Sequence, residues 1–118
     1  MIIGETVCAR GEQATVVYSP WFQRLGNAAT FMLDVIASSG SNCTVTVMVQ
    51  TKNSEDADPA PGGGGAAGGT FNQVGAGSEE HRNFNFKELL RFEFTVAASG
   101  SDIEWAHFRM LNPSWETN

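Results

Sequence analysis

The sequence predicts an all-β protein, an antiparallel β-sandwich or jelly roll of about six to eight short strands with a long Gly-rich loop. Three observations carry that prediction. Apolar and polar residues alternate with the period of two that a half-buried strand needs, most cleanly at residues 43–50, where Cys43, Val45, Val47 and Val49 share one face. Two stretches sixty positions apart have the same strand–turn–strand outline: residues 31–50, FMLDVIASSGSNCTVTVMVQ, and residues 91–110, RFEFTVAASGSDIEWAHFRM. No window of about eleven residues carries the apolar stripe of a helix, which recurs about every 3.6 residues.

Residues 1–12 are mixed and hold two glycines, which suits an N-terminal arm or a short edge strand. The single sandwich domain is expected over residues 13–118. Its first strand, 13–18, is broken by Pro20, which lacks a donor for a ladder. Residues 28–37 are apolar on both faces apart from Asp34, the pattern of a central strand. The turn Ser38-Ser39-Gly40-Ser41-Asn42 leads into strand 43–50, and residues 51–56 are a polar exit. Six glycines among residues 62–69 resist core packing, so residues 59–75 read as a flexible loop. Residues 71–74 suit a short strand and 79–82 a charged turn. Phe84, Phe86, Leu90, Phe92, Phe94 and Val96 share a face if strand 84–96 is unbroken, whereas residues 87–90 also suit a bulge or one helical turn. Residues 103–111 form the last strand, which Asn112-Pro113 ends. On this reading the two duplicated units are hairpins packed face to face.

Composition removes several functional classes. A chain of 118 residues suits one domain, and 42% hydrophobic content with eight Phe and three Trp is unlike a disordered chain. A net charge of −6 with no Lys/Arg stripe argues against a nucleic-acid partner. No run approaches the ~20 apolar residues of a membrane helix, and no segment reads as a secretory signal. Charged residues make up only 17%, as in chains whose surface is partly covered by neighbours. Cys8 and Cys43 are too few for a disulfide framework and are expected as free thiols.

No catalytic constellation is visible, so the chain is expected not to be an enzyme and to need no cofactor. His81 and His107 lack the spaced Cys, His or Asp partners of a zinc or acid–base site. The serines lie in Ser/Gly turns, and the glycine run lacks the Gly-Lys-Ser/Thr ending of a phosphate loop. Glu55, Asp56 and Asp58 offer oxygens to Ca²⁺ but do not match the spacing of an EF-hand loop, and a solvated charged loop explains them. Trp21 follows Pro20 and Trp115 follows Pro113 closely, similar settings that suit a core plug or an interface.

In its length, sandwich strands, glycine-rich excursion and apolar arm, the chain resembles the small jelly-roll cement or decoration proteins of tailed bacteriophage capsids. The resemblance implies a structural assembly protein, made in the host cytoplasm and mounted on the virion surface. It implies protein partners, namely the major capsid protein and further copies of itself, as a homotrimer. The arm and the 59–75 loop would be contact elements, with interface residues Ile2, Ile3, Trp21, Phe22, Arg24, Leu25, Leu111 and Trp115. The alternative is a sugar- or peptide-binding sandwich of lectin or carbohydrate-binding-module type, with Trp105, His107 and Arg109 as the ligand face.

Overall fold

Alternating β-branched and aromatic residues do form strands, and the order in which those strands pair defines the architecture. The computed structural model describes residues 3–10, 14–39, 43–98 and 103–116. It contains β1 (Ile3–Arg10), β2 (Thr15–Tyr18), β3 (Phe22–Gln23), β4 (Ala28–Ser38), β5 (Thr44–Lys52), β6 (Phe71–Val74), β7 (Gly77–Phe84), β8 (Leu89–Ala97), β9 (Ile103–Met110) and β10 (Ser114–Glu116). All pairings are antiparallel.

Two of the strands are broken in the middle. β2 and β3 line the same edge of β8, separated by the Ser19-Pro20 interruption. Likewise β9 and β10 line one edge of β4, while β7 lines its other edge. With each broken strand counted once, one sheet runs β1, β9/β10, β4, β7 and the other runs β2/β3, β8, β5, β6. That is the strand order of a jelly roll. The eight residues of β1 are the edge strand of the first sheet, in register from Ile3 opposite Met110 to Arg10 opposite Ile103.

The duplicated units are not hairpins. β4 lies in the first sheet and β5 in the second; β8 lies in the second and β9 in the first. Each strand–turn–strand crosses from one sheet to the other, and the two units interlock edge to edge, β5 against β8 and β4 against β9. The physical reason is burial. Both strands of each unit carry a full apolar face, and a corner between sheets turns both faces onto one core, which a flat hairpin does only with a second layer supplied elsewhere. The turns themselves fall largely at residues 40–42 and 99–102, outside the described residues.

Inward positions of the four interlocked strands fill the core: Phe31, Leu33 and Val35; Val45, Val47 and Val49; Leu90, Phe92, Phe94 and Val96; Ala106, Phe108 and Met110. Aromatic rings join the layers. Phe31 of the first sheet meets Phe92 of the second edge-on at 5.1 Å, and Phe94 meets Phe108 at 4.8 Å. Strand 84–96 is interrupted, since residues 85–88 form an irregular connection with Asn85 in the left-handed region (φ 59°), a conformation Asn tolerates. The break leaves Phe84 exposed and returns Phe86 to the core.

The glycine-rich segment is tied down along its length. Ala66 N–H donates to Val49 O at 2.7 Å, Thr51 N–H donates to Gly64 O at 2.9 Å, and Ala67 and Phe84 exchange backbone bonds. Ala66 is buried. The segment thereby bridges β5 of one sheet and β7 of the other. Glycine suits this course because the backbones approach closely: a β-carbon on Gly68 (φ +108°) would meet Arg82 O at 2.6 Å. Lack of side chains, taken alone as looseness, is here what permits the contact.

Truncation at the ring joint is expected to be costly. Phe92→Ala should lose about 3–5 kcal/mol in urea unfolding, against less than about 0.5 kcal/mol for Val16→Ala on the exposed face of β2. Gly68→Ala should also destabilise, by about 1 kcal/mol or more from backbone strain alone.

Candidate functional site: the loop end of the sandwich

Four segments remote in sequence meet at one end of the sandwich: residues 19–27, 51–70, 84–88 and 111–116. Arg24 is pinned to the third, its N–H donating to Glu88 O at 3.1 Å and its Nη1 to Phe86 O at 2.6 Å. Asn27 N–H donates to Glu116 O at 3.2 Å, joining the first segment to the last. Thr51 Oγ1 donates to Leu89 O and accepts from Lys87 N–H, joining the second to the third. Ser54 N–H donates to Glu88 Oε1 at 3.2 Å.

This end gathers most of the residues predicted to form an interface, and it divides them by role. Trp115 is a plug, its ring edge-on to Phe31 at 6.4 Å and to Phe86 at 6.0 Å. Phe22 packs on Phe92 at 5.4 Å. Leu111 continues the ladder, its N–H donating to Met32 O. Leu25 is the outward member, 69% exposed, between pinned Arg24 and Gly26, whose Cα lies against the Glu116 backbone so closely that no side chain fits. Ile2 and the side chain of Ile3 lie outside the described residues.

Trp21 anchors a polar cluster on the outward face of β5 and β8. Lys52 Nζ and Arg91 Cζ each lie 4.7 Å from the Trp21 ring centroid, and Arg91 Cζ lies 4.0 Å from that of Tyr18. Both cations are largely shielded, their side chains 14% and 11% exposed. Cation–ring contacts of this shielded kind are worth about 1–2 kcal/mol each. Arg91 Nε donates to Gln50 Oε1 at 2.7 Å across the strand pair, where the two residues are directly opposite. Gln50 Nε2 donates to Ala60 O, Gly63 O and Glu93 Oε2. Glu93 Oε2 also accepts from Tyr18 Oη at 3.1 Å and Gly62 N–H at 3.0 Å. Gln50 and Glu93 are both buried.

Asp58 closes the cluster, bonded to Lys52 Nζ at 2.6 Å and lying 3.6 Å from Arg91 Nη1. The Lys52 hydrogen bond, chiefly, holds the Asp58 carboxyl below its ordinary pKa against the opposing effect of desolvation. Desolvation first, then the hydrogen bond to Glu93, raises the Tyr18 hydroxyl above its ordinary value. Sequence reading missed this cluster because it treated outward strand positions singly. The available signal was Gln50, Arg91 and Glu93, long polar residues at alternate positions of two strands that pair.

The other predicted ligands are dispersed. Asp56 Oδ2 accepts from Asn53 N–H at 3.1 Å, Glu55 points to solvent, and Asp58 is engaged as above. Among the described residues no three His, Cys, Asp or Glu side chains gather as a metal site. His81 stacks on Phe71 at 5.0 Å with its Nε2 2.7 Å from Gly68 O, and Cys43 is a buried free thiol. Trp105, His107 and Arg109 do share the outward face of β9, all exposed. Arg109 Nε there bonds Asp34 Oδ2 at 2.9 Å, and Ser78 Oγ donates to the other Asp34 oxygen at 3.3 Å.

The fold and its elaborated end define a jelly-roll β-sandwich. Compared with known proteins, the chain matches no family model, no curated sequence and no solved structure.

The lowered Asp58 pKa fixes the sign of a pH effect. Its stabilisation is present above the ordinary aspartate range and is lost as pH falls through the lower folded-state value. Asp58→Asn should therefore unfold at lower urea than the native chain at pH 7, and that difference should shrink steadily on acidification below about pH 4. A constant difference at every pH would show that Asp58 contributes by shape alone.

Proposed function

We propose that this protein is a structural assembly module, a cement or decoration protein that clamps neighbouring subunits on the outer surface of a phage capsid through the loop end of its sandwich. The observation that carries the reading is Leu25, a large apolar side chain 69% exposed on a rigid footing. Arg24 is bonded to two carbonyls and Gly26 abuts the Glu116 backbone, so little conformational freedom remains for Leu25 to lose on docking. At the same end Trp115 packs on Phe31 and Phe22 on Phe92, which supports a stiff footing. A small rigid module contributes affinity on a lattice by repeating modest contacts, each well under the roughly 800 Å² per partner of a stable pair. The partners are further copies of the chain, as a trimer, and the major capsid protein. Nothing in the role needs a cofactor.

A second reading, a sugar- or peptide-binding module, is supported by the row Trp105, His107 and Arg109 on one exposed strand face. Trp105 is 38% exposed, enough ring for stacking.

Light scattering after size exclusion separates the two. The assembly reading expects an oligomer that Leu25→Asp converts to a folded monomer, with no change in melting temperature on adding glycans or EDTA. A native monomer whose melting temperature rises with a glycan, and whose response Trp105→Ala abolishes, would overturn it.

A further inference from the structure

Residues 54–63 lie across the outward face of β5 and β8 as a strap with two backbone roots. At one root Lys52 ends β5; at the other, Thr51 N–H bonds Gly64 O and Ala66 N–H bonds Val49 O. Between the roots, among the described residues, the strap is fastened to its surroundings by hydrogen bonds that involve side chains. Lys52 Nζ donates to Asp56 O and Asp58 Oδ1, Arg91 Nη2 to Pro59 O, and Gln50 Nε2 to Ala60 O and Gly63 O. Gly62 N–H donates to Glu93 Oε2, and Ser54 N–H to Glu88 Oε1.

Glu93 is the centre of this fastening. One carboxylate oxygen on β8 accepts from Tyr18 of β2, Gln50 of β5 and Gly62 of the strap. Hydrogen bonds to a charged acceptor are about twice as strong as neutral ones, so one negative charge reinforces three elements together. The charges also balance: Lys52 and Arg91 are positive and largely shielded, Asp58 and Glu93 negative. Neutralising the two acids would leave two shielded cations beside the Trp21 ring without these counter-charges, which is unfavourable.

We infer that residues 54–63 form a latch, closed by the negative charges of Glu93 and Asp58, which swings open ahead of the rest of the fold when those carboxylates are neutralised. The groups facing the pair are Tyr18 from β2, Trp21 beyond it, Gln50 and Lys52 from β5, and Arg91 from β8; Glu55 and Asp56 on the strap, and Glu88 beside its first root, are exposed. The core does not share this dependence, since its sheets are held by backbone ladders and apolar packing on the opposite face of β5 and β8. Opening uncovers Gln50, whose amide lies under the Ala60 and Gly63 carbonyls, and the Trp21 edge of the cluster. The latch does not depend on the assembly reading above.

Amide hydrogen exchange, expressed as protection factors, tests the latch on the intact chain. At pH 7, Glu93→Gln should lower protection at residues 62 and 63 by about tenfold or more, with Asp58→Asn acting in the same direction, while core amides of β5 and β8 remain protected well above the strap. Glu55→Gln, an exposed acid of the same strap, should change nothing. The native chain should lose strap protection on acidification before core protection. The latch is overturned if both variants leave strap protection within about twofold of native, or if strap and core lose protection together on acidification. Should Glu93→Gln fail to fold, Asp58→Asn and the native pH series decide the matter.

Discussion

Pairing of β5 with β8 is the constraint on which both faces of the second sheet depend. Its register runs without a shift from Thr44 opposite Ala97 to Lys52 opposite Leu89. Inward, that register stacks Val45, Val47 and Val49 beside Val96, Phe94 and Phe92 to make half the core. Outward, it sets Gln50 against Arg91 and brings Glu93 within reach of Gln50 and Tyr18. A slip of β5 by one residue would turn its valines to solvent, drive Gln50 into the core and part it from Arg91 and Glu93. Hydrophobic burial and the polar cluster thus select the same alignment, and neither is independent of the other.

The similarity between residues 31–50 and 91–110 takes its meaning from that pairing. Each unit leaves one sheet and enters the other, and their interlocking supplies the four central strands of the jelly roll. Equivalent positions then differ by neighbourhood. Val45, Val47 and Val49 point inward on β5, while their counterparts Trp105, His107 and Arg109 point outward on β9. The shift arises because Ala106, Phe108 and Met110 take the inward face of β9. What the units share is a frame of two apolar-faced strands about a corner, with the side-chain phase reversed in the second strand.

The loop end shows how a rigid surface is made without regular structure. Backbone bonds from Arg24, Asn27 and Thr51, glycines at points of close approach and two aromatic plugs hold four segments together. Such an end suits a protein that acts by fitting against neighbours. The strap adds a part fastened by charged side chains over a core held by ladders and apolar packing.

Period-two alternation, the turn residues and the absence of a helical stripe were enough to define an all-β sandwich, because strand formation and the choice of buried face are local properties of spacing. The outward row Trp105, His107, Arg109 was legible for the same reason. Three things lay beyond local pattern. Which strands pair is a long-range choice, so two crossovers looked like two hairpins. The glycine run looked loose because its partners, Val49, Thr51 and Phe84, lie up to two strands away in sequence. The cluster of Gln50, Arg91, Glu93 and Asp58 was invisible because four ordinary polar residues acquire a common role only when β8 is laid beside β5 and the strap across both. Sequence alone determined which residues seek burial; the tertiary structure decided what each buried or shielded charge would face, since that depends on contacts between segments dozens of residues apart.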